Sequence, residues 1–317
     1  MSTSSAIGLA AAMPFGLPPT VVAGAVGFLL VAVIYRLLRG NRVIDRYETR
    51  HAEEKEEPVP QVVIEPLHDF DWRTVKPQQF RHFKRVYHIT MGLQADAASD
   101  LIAIDRDYLD RVTHRRHLIQ KHGSGVHGSL PGGVAAASEL YTFLLVDYLP
   151  TRFPTMFELS GDKSRFTNRA TGKSWPTAPP EDAATALSIL GETVEEDMFL
   201  LHETPEGHKC FAFVCCFPSG FDPSAKVGKL LKDIHAPVPS YDKIGASMER
   251  FFSKMEVGKS VKRLNWALQT HSELYNCSGN HMTSEEAETA AQDAHVNIDE
   301  VGLLNFLTRF ASLPSSH

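Results

Sequence analysis

Cysteine is scarce in this chain, with four residues in 317 and neither a CxxC pair nor a Cys/His spacing of the kind that holds zinc. Three of the four, Cys210, Cys215 and Cys216, sit in one apolar run, which reads as reduced, buried packing rather than a disulfide framework. Surplus positive charge is lacking too. The net charge is −6 and the basic residues are dispersed, so the electrostatic footprint of a nucleic-acid binder is missing. No GxGxxG or GxxxxGK[ST] loop occurs, which removes support for nucleotide binding. Nor is there a G-x-S-x-G elbow or an HExxH pair, and Ser219 in CFPSGFDP reads as part of a turn. There is no internal repeat.

One long hydrophobic run is present. Residues 21–38 read VVAGAVGFLLVAVIYRLL, with Arg36 as the only charge. As a helix the run spans about 27 Å, close to the hydrocarbon thickness of a bilayer. Residues 1–20 are an uncharged tail, unlike the front of a signal peptide, and Arg39, Arg42, Arg46 and Arg50 follow the run. The positive-inside rule then places the C-terminal domain in the cytosol. The reading is a single-pass membrane protein anchored by one transmembrane helix at 21–38, with the endoplasmic reticulum a candidate membrane; a buried core helix is the competing reading. Residues 39–65, charged and then proline-bearing, read as a solvated linker, and the folded domain is expected over 66–301.

Helical periodicity predicts helices over 105–121, 133–149 (stopped by Pro150), 181–190 and 243–255. Strands are expected over 198–202 and 209–217, a hairpin closed by TPEGH, and over 260–268. The last alternates, with Val261, Arg263, Asn265 and Ala267 on one face and Lys262, Leu264, Trp266 and Leu268 on the other. Helices first and strands later argue for an α+β domain with a mainly antiparallel sheet.

Fifteen histidines are many, and one stands apart. In IHAPVP, Pro237 and Pro239 restrict the backbone after His235 and Ile234 favours burial. A fixed, neutral imidazole suits an iron or zinc ligand; a rigid turn before the 243–255 helix is the competing reading. Arg263 and Asn265 could pair a carboxylate and donate a hydrogen bond if their face lines a pocket, and are bland if it faces water.

Five ordered blocks carry a resemblance: HITMGL (88–93), ELYTFLLVDYLPTRFPTMF (139–157), EEDMFLL (195–201), FPSGFDPSAKVGKLLKDIHAPVPSY (217–241) and KRLNWAL (262–268). Together they resemble the haem-dependent oxidative N-demethylase family over roughly 66–301. The resemblance implies a PAS-like antiparallel sheet with flanking helices that holds haem b. It also implies O2-dependent oxidation of a small secondary amine, such as dimethylamine, to a primary amine and formaldehyde. Electrons would come from NADPH through flavin and iron–sulfur components; this chain has a motif for neither, so a separate reductase partner is implied. With haem as the premise, motif position (rather than the family) nominates His235 as the axial metal ligand and His88 as the second choice. Arg263 and Asn265 would face the haem or the oxygen site, and Arg152, Lys226 and Lys229 would pair with propionates. The chain departs from the family after NIDEV. An arginine-rich block and a final apolar strand are expected there, and 302–317 reads instead as an atypical, truncated tail. A non-catalytic haem or gas-sensing module, and an inactive domain that no longer holds haem, therefore stand beside the enzyme.

Overall fold

The chain divides into two units, Met1–Lys55 and Glu56–His317. The computed structural model describes residues 62–79, 91–236, 238, 240–269, 271–278 and 302–312, all in the second unit. The 21–38 run and His88 lie outside the described residues. Among the described residues no helix is long and apolar enough to cross a membrane.

Helix α1 (Tyr108–His122) turns Tyr108, Val112, Arg115, Leu118 and Ile119 inward at helical spacing. Helix α2 starts as Val134–Thr142, widens into a π-helical stretch over Phe143–Tyr148 and finishes with Leu149–Arg152. The expected stop at Pro150 is therefore corrected. Proline has no amide to donate back along an α-helix, and the wider winding just ahead of it lets the chain continue to Arg152. Helix α3 (Ala183–Thr193) begins where the Asp182 carboxylate accepts from the amides of Ala184 at 3.2 Å and Thr185 at 3.0 Å. Helix α4 is a single turn, Leu231–Ile234, and α5 runs Gly245–Phe252.

Among the described residues the named strands all pair antiparallel, so the α+β expectation holds. The strands are β1 (Gln94–Asp96), β2 (His127–Ser129), β3 (Phe157–Leu159), β4 (Arg165–Asn168), β5 (Lys173–Pro176), β6 (Met198–Thr204), β7 (Gly207–Val214), β8 (Ser260–Gln269) and β9 (Gly302–Phe310). Rather than one sheet, they form three of three strands each, ordered β1-β8-β9, β2-β7-β6 and β3-β4-β5. Two of the sheets share a core with the helices. Phe157 and Phe166 of the β3-β4-β5 sheet join Tyr141, Leu144 and Tyr148 of α2 in one core. Ala212 and Val214 of β7 join Leu118, Ile119 and Leu187 of the helices in a second. Helix α3 approaches both β7 and α1 at Gly191, where a Cβ would lie 2.7 Å from Val214 Cγ2 and 2.9 Å from Ile119 Cδ1.

The 302–317 tail is the main correction. Gly302–Phe310 pairs with β8 along its whole length, from Gly302 opposite Gln269 to Phe310 opposite Val261. Phe310 also packs edge-on against Phe251 and Phe252 of α5, with ring centroids at 6.2 and 5.4 Å. The stretch supplies the apolar edge strand that the resemblance led one to miss. Its partner lies far back in the chain, so no local turn marks it.

Candidate functional site

The site is built on the segment that leaves β7. Its exit is pinned by Asp197, whose carboxylate accepts from the amides of Cys216 at 2.7 Å and Phe217 at 2.9 Å and from the Cys215 thiol at 3.2 Å. The same Asp197 oxygen that takes the Cys216 amide, Oδ1, also accepts from Arg115 Nη1 of α1 at 2.5 Å. Arg115 also donates to the carbonyls of Gly191, Glu195 and Glu196 at 2.8, 2.9 and 3.0 Å. Burial disfavours its charge, and the Asp197 carboxylate together with Cys216 and Cys215 more than offsets that.

From there the chain doubles back along β7. Gly228 donates to Cys210 O at 2.8 Å and Cys210 donates to Lys229 O at 3.0 Å, delivering α4 to the start of β7. His235 closes α4. Its amide and its Nδ1 both donate to the Leu231 carbonyl, at 3.2 and 2.8 Å. A carbonyl can only accept, so Nδ1 carries the proton and Nε2 is left bare in the neutral ring. Among the described residues Nε2 has no hydrogen-bond partner. Burial pushes the imidazole pKa down; the Leu231 bond opposes this, and Lys226 and Arg263 add to the lowering.

Those two cations tie the predicted residues together. Lys226 Nζ lies 5.5 Å from the centre of the Phe221 ring, and burial lowers its pKa, with Lys229 adding to the effect. Phe221 is 6.3 Å from Phe199, which stacks on Phe213 at 6.0 Å across the β6–β7 pair. Phe199, 38% exposed, is one of the few large apolar side chains open to solvent among the described residues. This aromatic surface was not legible in the sequence, where Phe221 sits among turn residues and only the strand register sets Phe199 opposite Phe213. Arg263 pairs with Thr308 in the β8–β9 ladder, and Asn265 pairs with Phe306 two places on; the Asn265 side chain lies outside the described residues. Lys229 is exposed and acts through its backbone carbonyl.

Arg152 stands elsewhere. Its guanidinium donates to Glu65 O at 2.7 Å and Asp100 Oδ1 at 3.1 Å, and its carbonyl accepts from Leu67 at 2.8 Å, so it holds the first described segment against α2. None of these partners is shared with His235. A separate concavity beside Val62, Leu101, Phe143 and Ser260 has a volume of about 20 Å³, room for one water, and no candidate residue lines it.

A family model described as haem-dependent oxidative N-demethylase, alpha subunit-like, matches residues 92–310. The chain belongs to this family. The N-demethylase match takes in Arg152, Lys226, Lys229, His235, Arg263 and Asn265, starts after His88, and ends on the last residue of β9. No curated protein matches the chain.

Proposed function

We propose that this chain is the haem-carrying component of an oxidative N-demethylase and that His235 is its axial ligand. The observation that carries the reading is the His235 imidazole, held neutral with Nδ1 committed to Leu231 O and Nε2 bare. Among the described residues no three His, Cys, Asp or Glu side chains converge as a metal-binding group. A single imidazole suits an iron whose other ligands come from a macrocycle. Phe199, backed by buried Phe213, and Phe221 would give that macrocycle an apolar face, and Lys226 and Arg263 would supply cations for its propionates.

When bound, the haem supplies the oxygen chemistry; the net reaction takes one small secondary amine, one O2, two electrons and two protons to a primary amine, formaldehyde and water. This chain's residues bind and orient. His235 offers a lone pair at neutral pH because its pKa is lowered, Arg263 would hold a negative charge near it, and Asn265 follows two places along the same strand. Haem b as the cofactor type, a separate NADPH-linked flavin/iron–sulfur reductase and a membrane anchor at 21–38 complete the proposal.

An absorption spectrum of the full chain expressed with haem tests it, beside His235→Ala. The expected result is a Soret band that collapses or shifts in the variant, followed by amine-dependent NADPH consumption and formaldehyde release once a reductase is supplied. A band indifferent to His235→Ala moves the ligand elsewhere, with His88 next. Folded protein without any band sinks the haem reading.

A further inference from the structure

The His235 imidazole lies flat against the ring of Tyr241, with centroids 5.4 Å apart and planes within 8°. Two successive turns make the contact. Val238 donates to His235 O at 2.9 Å and Tyr241 donates to Val238 O at 3.1 Å, which folds the chain back on the imidazole. Between them Ser240 adopts φ +58°, a left-handed conformation that disfavours any residue with a side chain. The stack is thus made against a local backbone cost.

Helix α5 stands behind the tyrosine. Gly245 leaves it room: a Cβ there would lie 3.0 Å from Tyr241 Cε1 and 3.4 Å from Cζ. The Tyr241 hydroxyl donates to the sulfur of buried Met248 at 3.8 Å. The helix is clamped in turn to the hairpin. Glu249 Oε2 accepts from the His208 amide at 3.2 Å and from His208 Nδ1 at 2.7 Å, and Ser253 Oγ donates to Glu203 Oε1 at 2.9 Å. Contacts therefore run unbroken from β7 through α5 and Tyr241 to His235.

We infer that Tyr241, backed by α5, is the positioning residue that sets the plane of the His235 ring and so the aim of Nε2. Once χ1 is chosen, an imidazole keeps one soft torsion. The bond from Nδ1 to Leu231 O fixes the tautomer and one in-plane direction, and the parallel tyrosine ring removes rotation out of that plane. The use of this aim rests on the ligand reading above; the platform itself does not.

The test is histidine-labelled NMR of the full chain, with the His235 signals assigned by their loss in His235→Gln. In the unsubstituted protein the ring protons are expected to be displaced upfield by the tyrosine ring current, with the ring in the Nδ1–H tautomer. Tyr241→Leu should abolish the displacement and mix the tautomers, and Tyr241→Phe should restore both. Should Tyr241→Leu fail to fold, Gly245→Ala takes its place; its crowding of the tyrosine should move the His235 ring signals while those of His114 and His122 stay put. Unsubstituted protein without the displacement overturns the inference, as do His235 signals that Tyr241→Leu, or in its place Gly245→Ala, leaves unmoved. In haem-loaded chain Tyr241→Leu should shift the Soret band that His235→Gln abolishes. A Soret band indifferent to His235 overturns the ligand reading alone, and the ring-current result still decides the role of Tyr241.

Discussion

Arg115 brings a full charge to a place where none of its side-chain surface is exposed. Its donors meet three backbone carbonyls and the Asp197 carboxylate, so nothing about it is idle. Replacement by methionine would keep much of the volume, strand those carbonyls and leave Asp197 without its countercharge. Breaking a buried pair in this way costs roughly 3–5 kcal/mol. Arg115→Met should therefore lower the free energy of unfolding by that amount, seen as a lower urea midpoint with little change in the denaturant slope. Because Asp197 also holds the amides of Cys216 and Phe217, the variant should loosen the segment leading to His235 and weaken haem retention. A variant as stable as the parent would show the network to be inert. The sequence offered no sign of this role, since Arg115 stands in a run of charged residues that reads as a solvated helix face.

Strands β1, β8 and β9 meet on a single carboxylate. Asp96, with no exposed side-chain surface, accepts from Lys262 of β8 at 2.7 Å and from Arg309 of β9 at 2.9 Å, so one residue ties the three strands together. Asp96→Ala leaves two partly buried cations without a partner, at a cost on the order of 3 kcal/mol. The loss should be local. Backbone amides of β8 and β9 are expected to exchange faster by hydrogen-exchange mass spectrometry, while those of the β6–β7 hairpin keep their protection. Uniform loss of protection in both sheets would mean that the clamp serves the whole domain. Alternation along 260–268 put Lys262 on the face opposite Arg263, as observed, but the buried acid it reaches lies in a three-residue strand too short to announce itself.

The balance of charge shows in the pH dependence of the molecule as a whole. Burial pushes the Glu195 carboxyl up to about 8, with Glu196 adding to the rise. A folded-state pKa raised above the unfolded value of about 4.3 means that the native state holds a proton which the unfolded chain releases. The associated stability is fully present in acid and is lost as the pH rises from about 4.3 through 8. Glu195→Gln should therefore flatten the fall in melting temperature between pH 5 and 9, gaining most at the alkaline end; identical profiles would show Glu195 ionised in the fold. His235 runs the other way. Its lowered pKa lets the neutral ring persist below the usual imidazole range, so its contribution is fully present above the unfolded value of about 6.5 and is lost progressively as the pH falls from there through the lowered value.

Sequence alone determined the α+β class, the β6–β7 hairpin, the alternation of β8 and the candidacy of His235. Each rests on local chemistry: an apolar period, a Pro-Glu-Gly turn, a proline-locked loop. The family resemblance came from ordered blocks and was met by a match over 92–310. Tertiary structure decided the rest. It gave β9 its partner, sent Arg152 to Glu65 and Asp100, buried Arg115 against Asp197, and set Tyr241 against His235. These contacts join residues whose types carry no mark of their partners. A strand's partner, a cation's acid and a ring's neighbour are chosen only when packing brings distant segments within a few ångströms of each other.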